Sequence, residues 1–212
     1  LPDMMRFFSE ILGVEYPFPV YSQAFVQDLP AGMDNMMFSS ISENMVDDKP
    51  THADFLYLWD ALEAQMLASQ WFGAYVTPAG YEHAWLNESF ARYYDELYAE
   101  HKNGYDEFQL WYRNFDLNTY LWDWNNNVRR PVVTKNYDNA ETMIRDNYSF
   151  VRGALVLHML RKHLGEDKWK KAINFYLKTN KNKLVTTDDL QKAVEESAGE
   201  PMDWFFGQWV YK

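Results

Sequence analysis

The amino-acid sequence predicts a mainly α-helical domain with a small β-sheet at its N-terminal end, an α+β architecture. From residue 51 onward, apolar residues recur at helical spacing, whereas the first 50 residues hold short β-like runs separated by turn-forming Pro and Gly. Hydrophobic residues make up 47% and charged residues 24% of the 212 residues, which is typical of a globular chain. We therefore expect one domain over residues 1–212, with a sheet region in residues 1–50 and a helical region in residues 51–212.

The N-terminal region predicts one helix and two strands. Residues 3–12 carry apolar side chains at helical spacing and stop at Gly13, which is typical of a helix C-terminus. Short β-like runs follow at residues 22–28 and 36–41, and Leu-Pro-Ala-Gly at residues 29–32 indicates a turn between them. These strands would form the edge of a small sheet.

The rest of the chain predicts a series of helices joined by loops. The aromatic fraction of 18% indicates that these helices enclose a core of large side chains. Residues 71–80 and 122–136 predict irregular loops, because the first holds Gly and Pro and the second is rich in Asn, Asp, Arg and Pro. The predicted helices are residues 53–70, 85–101, 105–118, 150–164, 166–177 and 187–197, and a last one from Pro201.

Composition excludes several function classes. Lys and Arg total 20 against 31 Asp and Glu, a net charge of −11, which argues against a nucleic-acid partner because phosphate binding needs clustered positive charge. The chain has no Cys, so disulfides and thiolate metal sites are excluded. No apolar run approaches the roughly 18 residues of a membrane span, and no signal-peptide pattern opens the chain, so we expect a soluble protein without a membrane partner. The missing initiator Met suggests an excised or processed piece.

Two segments carry the most specific pattern. Residues 65–73 read Gln-Met-Leu-Ala-Ser-Gln-Trp-Phe-Gly, and residues 85–91 read Trp-Leu-Asn-Glu-Ser-Phe-Ala. This organisation resembles the gluzincin aminopeptidases, the relatives of aminopeptidase N, in which a helix carries H-E-x-x-H-Q-W-F-G and the next carries W-L-N-E-G-F-A. In that family the two His and the second Glu bind zinc, and the first Glu is the general base on zinc-bound water. Ser69 and Glu88 are separated by 18 residues, as are the second His and the Glu ligand of the family.

Further landmarks strengthen the resemblance. Tyr-Pro-Phe-Pro at residues 16–19 and Gly-Ala-Leu-Val-Leu at residues 153–157 resemble family segments. Residues 31–35 are similar to the G-x-M-E-N strand that binds the substrate backbone and its free amine. The resemblance covers the whole chain and implies a thermolysin-like metallopeptidase catalytic domain. It also implies substrate-binding roles for Gly32, Met33, Asp34 and Asn35.

The chain departs from the family at the catalytic positions. Gln65 and Ser69 stand where the two His ligands belong, Met66 replaces the general base, and Phe150 replaces the catalytic Tyr. The amine-binding Glu is shortened to Asp34, and Glu88 alone remains of the three zinc ligands. An amide, a hydroxyl and one carboxylate hold zinc poorly. We therefore expect no zinc or other cofactor and no hydrolysis of the family type.

Several functions stay open for this altered site. Glu88, without a balancing metal, would have a raised pKa and could act as a general base on a bound small molecule, with Gln65 and Ser69 as hydrogen-bond donors. Alternatively, the Asp34–Asn35 strand could make the domain a non-catalytic module that binds a short peptide. Residual zinc aminopeptidase activity is the third candidate. The pattern is compatible with a natural pseudoenzyme and with an engineered scaffold, and His83 is expected near the same cleft.

Overall fold

The computed structural model describes residues 1–46, 49–140 and 146–212, and only the backbone of residues 49, 51–58 and 113. The chain is mainly helical with a small N-terminal sheet, which confirms the predicted fold class. Within the described residues no helix is both long and apolar enough to cross a membrane. The α-helices whose backbone the structure describes in full include α1 (Pro2–Leu12), α2 (Lys49–Ser69), α3 (Trp85–Asn103), α4 (Tyr105–Trp111), α5 (Asn118–Asn125), α6 (Gly153–Leu164), α7 (Glu166–Thr179), α8 (Thr187–Ala198) and α9 (Asp203–Trp209).

Three segments of the described chain are π-helical. The first π-helix, Gln70–Tyr75, continues α2; the second, Tyr112–Leu117, joins α4 to α5; and the third, Tyr148–Arg152, leads into α6. Such segments often mark functional sites, because the extra residue in the turn re-aims nearby side chains.

The N-terminal sheet has three strands in the order β1–β3–β2. Strand β1 (Ser22–Val26) runs parallel to β3 (Phe38–Ser42), and β2 (Gly32–Asn35) runs antiparallel to it. In this register Asp34 lies opposite Ser39. A second sheet pairs the short strands β4 (Thr77–Pro78) and β5 (Leu184–Val185) in parallel, and the sequence did not predict it.

Large aromatic side chains fill the core between the helices, as expected from the composition. Helix α1 ends at Gly13, whose φ of 62° is left-handed, so the predicted C-terminus of this helix is confirmed. The rings of Phe72 and Phe90 stack with centroids 4.4 Å apart and join the first π-helix to α3. The aromatic side chains that are almost fully buried include Phe8, Trp71, Phe72, Trp85, Phe90, Tyr93, Tyr94, Trp169 and Tyr176.

Four predicted boundaries are wrong. The turn predicted at residues 29–32 ends earlier, because Gly32 already belongs to β2, and the strand predicted at residues 36–41 begins with the two-residue turn that joins β2 to β3. The loop predicted at residues 71–80 is helical as far as Tyr75, since burial of Trp71 and Phe72 outweighs the low helix propensity of Gly73. The loop predicted at residues 122–136 starts only after α5, which ends at Asn125.

Candidate ligand-binding cleft

The N-terminal turns of α3 meet the end of α2 and form the floor of a cleft. Helices α2 and α3 pack extensively against each other, and a Cβ atom at Gly73 would lie only 2.9 Å from Asn87 Oδ1. Glycine at this position therefore allows the first π-helix to approach α3 closely. This packing brings the two sequence segments with family-like motifs to one place.

Two adjoining cavities form the cleft. The first, of about 380 Å³, lies beside β4 and the start of α3, and Glu88 and Tyr81 are among its lining residues. The second, of about 280 Å³, lies between β2 and the first π-helix and is lined by Asp34, Asn35 and Ser69. The two cavities share three lining residues, Gly73, Thr77 and Asn87.

Glu88 is the carboxyl group that lines the first cavity. Burial raises the pKa of Glu88 to about 8, and the nearby carboxylate of Asp34 adds to the increase. Asn87 Nδ2 donates a hydrogen bond of 3.3 Å to Glu88 Oε1. Between about pH 4.5 and 8 this carboxyl group is therefore protonated in the folded protein, although it would be ionised in water.

The predicted substrate strand is held over the cleft by Gln70. The buried side chain of Gln70 accepts a hydrogen bond from Met37 N (2.7 Å) and donates one to Asn35 O (3.0 Å). The first π-helix thus fixes the turn between β2 and β3. Asp34 and Asn35, at the end of β2, remain exposed on the cleft side.

On α2 the residues at the family's catalytic positions have become structural. Ser69 is buried, and its Oγ donates a hydrogen bond of 3.3 Å to the backbone oxygen of Gln65. Met66 is 3% exposed and packs under β2, since a Cβ atom at Gly32 would lie 2.8 Å from Met66 Sδ. The thioether therefore fills apolar space where a general base would need access to water.

Phe150 lies on the third π-helix. Its ring centroid is 5.8 Å from the guanidinium carbon of Arg92. Ser89 Oγ donates a hydrogen bond of 2.6 Å to Ser149 O and thereby joins this π-helix to α3. A Cβ atom at Gly153 would lie 1.8 Å from Ser89 Oγ, so only glycine fits there. Phe150 supplies no hydroxyl group.

The structure brings only part of the predicted set together. Asp34, Asn35, Ser69 and Glu88 line the cleft, whereas Gln65, Met66, Phe150, Gly32 and Met33 are not among its lining residues, and Met33 is 56% exposed. His83, which could have lined the same cleft, is not among the lining residues of either cavity. Its ring Nδ1 accepts a hydrogen bond from Thr187 N and holds the start of α8, outside both cavities.

Sequence reasoning missed Asn87, Thr77 and Tyr81 as cleft residues. Asn87 Oδ1 is buried and accepts no hydrogen bond within the described part of the chain. The sequence could have indicated Asn87, because this residue directly precedes Glu88 in the Trp-Leu-Asn-Glu segment. Thr77 and Tyr81 carry no comparable signal, since the parallel pairing of β4 with β5 positions their loop.

The donor set does not fit zinc. The family's three ligand positions offer the Gln65 amide, the Ser69 hydroxyl already bonded to the backbone, and the Glu88 carboxylate. Within residues 1–46, 49–140 and 146–212, no group of three or more His, Asp or Glu side chains is placed to hold a metal ion. Neutral amide and hydroxyl oxygens bind zinc weakly compared with imidazole nitrogen.

Comparison with known proteins defines the family. The model of the peptidase family M1 domain matches residues 1–209, so the chain belongs to peptidase family M1. Aminopeptidase M1-A of Oryza sativa subsp. japonica is 30% identical over 208 residues, which are 96% of this chain and 24% of that protein. Aminopeptidase M1 of Arabidopsis thaliana is 29% identical over 208 residues, covering 96% of this chain and 23% of that protein.

Solved structures agree with this assignment. A variant of an M1 zinc metallopeptidase from Deinococcus radiodurans, bound to a Tyr-Ser-Ala substrate, superposes with a TM-score of 0.78 at 25% identity. The match covers 99% of this chain and 43% of that chain. The chain therefore spans about a quarter of the length of the relatives above and less than half of this structural neighbour.

Proposed function

We propose that this domain binds the amino-terminal end of short peptides in the cleft and does not hydrolyse them. The observation that carries the proposal is the pairing of two acidic side chains, Asp34 and Glu88, on adjoining cavities of an M1-type fold. Neither His ligand nor the general base of the family accompanies them. In this proposal the cleft recognises peptides without zinc-dependent hydrolysis.

Charge in the cleft favours an ammonium ligand. Asp34 and Glu88 repel each other, and this repulsion contributes to the raised pKa of Glu88. A protonated α-amino group between them would relieve the repulsion, and Asn87 Oδ1 would accept a further hydrogen bond from it. A peptide amino terminus is the simplest ligand with several donors on one positive charge.

The sheet offers a complementary surface for the peptide backbone. Strand β2 lies at the edge of the order β1–β3–β2, and its residues Met33 to Asn35 are exposed. An extended peptide could pair with this edge through main-chain hydrogen bonds. The neighbour from Deinococcus radiodurans holds a Tyr-Ser-Ala substrate, so this tripeptide is the first ligand to test.

The remaining chemistry argues against hydrolysis. No imidazole is available to bind zinc at the family positions, and the Met66 thioether accepts no proton from water. Phe150 has no hydroxyl group to donate a hydrogen bond to a tetrahedral intermediate. Attack by water on a peptide bond would therefore lack activation, general base and oxyanion donor.

Calorimetric titration tests this function. Tyr-Ser-Ala should bind at pH 7.5, and N-acetylation of the peptide should weaken binding more than tenfold. The substitutions Asp34→Asn and Glu88→Gln should each weaken binding about 5- to 50-fold. The exposed Glu200→Gln is the matched control and should bind like the parent protein. Equal affinity for acetylated and free peptide would refute the proposal, as would zinc-dependent cleavage that a chelator abolishes.

A second candidate is proton abstraction by Glu88. The observation that favours it is the pKa of about 8, which makes the ionised carboxylate a stronger base than an ordinary Glu. A bound carbon acid should then react faster as the pH rises towards 8 and reach a plateau above it. A flat pH–rate profile, unchanged in Glu88→Gln, would exclude this role.

A further inference from the structure

The first cavity of the cleft has room for a large side chain. Its volume is about 380 Å³, compared with about 280 Å³ for the second cavity. An apolar cavity of roughly 150 Å³ already holds a benzene molecule, so the first cavity could enclose a phenyl or phenol ring. The proposed function places the amino group and the backbone of a peptide but assigns no ligand group to this space.

The wall of the first cavity is mainly apolar. Its lining residues with small or aromatic side chains are Gly73, Pro78, Ala79, Gly80, Ala84 and Tyr81. Among the polar lining residues, Thr77 already donates a hydrogen bond of 2.9 Å from Oγ1 to Gly73 O. Glu88 provides a carboxyl group, which the proposed function assigns to the amino group of the ligand. The rest of the wall favours an apolar ligand group.

Several backbone groups of the same wall are already hydrogen-bonded. Thr77 N and Ala79 N donate to carbonyl oxygens in and next to β5, over 3.1 and 2.8 Å, because β4 pairs with β5. The carbonyl oxygens of Gly80, Tyr81 and Ala84 accept hydrogen bonds from N–H groups of the turn that leads into α3. A polar ligand group would therefore lose water here and gain few partners, whereas an apolar group has no such cost.

Tyr81 gives the first cavity an aromatic surface. Its ring meets that of Tyr137 edge-on, with centroids 6.5 Å apart, and the residue is 49% exposed. The short 3₁₀ turn Tyr81–His83 is anchored, because the ring Nδ1 of His83 is hydrogen-bonded to Thr187 Oγ1 at 3.0 Å. An aromatic ligand ring could pack on Tyr81, and a phenol hydroxyl group could remain in water at the exposed side.

The arrangement of the two cavities places the parts of a peptide. Because the cavities share Gly73, Thr77 and Asn87 as lining residues, they meet there. In the proposed function the α-amino group lies between Asp34 of the second cavity and Glu88 of the first, and the backbone follows β2 along the second cavity. The first side chain branches from the same carbon atom as the amino group. The first cavity is therefore the space that remains for it.

We propose that the first cavity binds the side chain of the ligand's first residue and selects peptides that begin with an aromatic or large apolar residue. This inference rests on the proposed function, because it assigns a further part of the same ligand. An acidic first side chain would be repelled by Asp34 and Glu88, and a basic one would compete with the α-amino group for both. A small side chain would leave most of the cavity to water.

Calorimetry with tripeptides that differ only in their first residue tests this selection. Tyr-Ser-Ala and Phe-Ser-Ala should bind the parent protein about 10- to 100-fold more tightly than Ala-Ser-Ala, because an aromatic ring buries apolar surface that a methyl group lacks. Glu-Ser-Ala should bind more weakly than Ala-Ser-Ala. N-acetyl-Tyr-Ser-Ala reports separately on the amino group.

Two substitutions that fill the first cavity locate the selection. Ala84→Leu and Ala79→Leu should each weaken binding of Tyr-Ser-Ala about tenfold and leave binding of Ala-Ser-Ala unchanged. Ala79 is exposed, so Ala79→Leu decides the test if Ala84→Leu, at a buried position, does not fold. Ala99→Leu adds the same volume on α3 outside the lining of both cavities. This matched control should bind both peptides like the parent protein.

The outcomes distinguish this inference from the proposed function. Equal affinity of the parent protein for Tyr-Ser-Ala and Ala-Ser-Ala, with acetylation still weakening binding, would overturn the role of the first cavity and leave the amino-group site intact. A preference for Tyr-Ser-Ala that persists in the filling variants would place the ring elsewhere and would also overturn it. If acetylation had no effect but the filling variants lost affinity for Tyr-Ser-Ala, the aromatic preference of the cavity would be supported and the proposed function refuted. Absence of binding by every peptide would overturn both.

Discussion

The carboxyl group of Glu88 carries the main electrostatic consequence of the altered catalytic positions. Burial raises its pKa to about 8 and Asp34 adds to the increase, so the folded protein binds a proton that the unfolded chain releases above about pH 4.5. The free energy of unfolding should therefore decrease as the pH rises from about 4.5 and level off above about 8, by at most about 1.4 kcal/mol per pH unit. A bound ammonium group would offset this loss of stability, because its positive charge would balance the ionised carboxylate of Glu88.

Replacing Glu88 with Gln tests this assignment. At pH 5 both proteins should unfold at nearly the same urea concentration, because an amide resembles a protonated carboxyl group. At pH 9 the Glu88→Gln protein should be more stable by up to about 5 kcal/mol, since the parent then buries an unpaired charge. The control Glu200→Gln should be as stable as the parent protein at both pH values. An identical pH dependence for Glu88→Gln and the parent protein would contradict the raised pKa.

At the scale of elements, the first π-helix connects the sheet to the helices. Gln70 bonds both sides of the turn between β2 and β3, so the position of Asp34 depends on an uncharged side chain. The family-like Gln-Trp-Phe-Gly run therefore keeps an architectural role here. In the same run Trp71 donates a hydrogen bond from Nε1 to Val14 O.

Replacing Gln70 with Ala should loosen this connection. Two partly buried hydrogen bonds, with Met37 N and Asn35 O, would be lost, at a cost of about 1–3 kcal/mol in the free energy of unfolding. The affinity for Tyr-Ser-Ala should also fall, because Asp34 would be less well positioned. Urea unfolding and calorimetry measure the two effects. If stability fell without any change in peptide affinity, the strand would not contribute to binding.

A second element-level feature is a buried charge cluster between α3 and the second π-helix. Arg92 contacts Asp95, Glu96 and Asp116, all almost fully buried, so one cation faces three carboxyl groups. Burial raises the pKa of Asp95 to about 7 and that of Glu96 well above its usual range. Neither carboxylate oxygen of Glu96 has a hydrogen-bond donor among the described residues.

Replacing Glu96 with Gln should stabilise the folded protein, because it removes one of the three carboxyl groups that surround a single cation. Because raised pKa values in the folded state make stability decrease with increasing pH, the gain should be small at pH 5 and about 1–3 kcal/mol at pH 8. Arg92→Met is the opposite change, since it leaves the carboxyl groups without a cation, and should be strongly destabilising. Urea unfolding at both pH values measures these effects. A loss of stability in Glu96→Gln at pH 8 would show that its charge is needed.

At the scale of the whole molecule, the chain keeps the M1 architecture with different residues at the positions that the family uses for catalysis. Residues 1–209 match the family model, and the chain covers 43% of the solved neighbour from Deinococcus radiodurans. The arrangement of α2, the first π-helix and α3 survives with neutral side chains at three catalytic positions. The scaffold should therefore accept the missing ligands again.

The double substitution Gln65→His and Ser69→His should restore a metal site with Glu88. Two imidazoles one turn apart would share a face of α2, and we expect at least a 100-fold gain in zinc affinity. Zinc content after dialysis measures the result, and adding Glu88→Gln to the double variant should remove most of it. A double variant that folds but retains no zinc would show that the cleft has also lost the ligand geometry.

The sequence by itself determined the fold class, the family and the identity of the altered positions, because spacing and motif order depend on the local chain. It predicted α1, α3 and α8 within two residues, and it singled out Glu88, Asp34 and Ser69, which the structure places at one cleft. The predicted loop at residues 71–80 failed, because aromatic burial rather than local propensity decides the conformation there.

Only the tertiary structure decided which of these residues share a cavity and how they interact. The pKa of Glu88 depends on burial and on a carboxylate 54 positions earlier in the chain, and the stacking of Arg129 on Trp124 depends on where α5 ends. Met66 and Phe150 stand at the family's catalytic positions in the sequence, but packing places neither side chain in the lining of the cleft. Electrostatic and packing energies depend on distances in space, and those distances arise only when helices, strands and π-helical segments assemble.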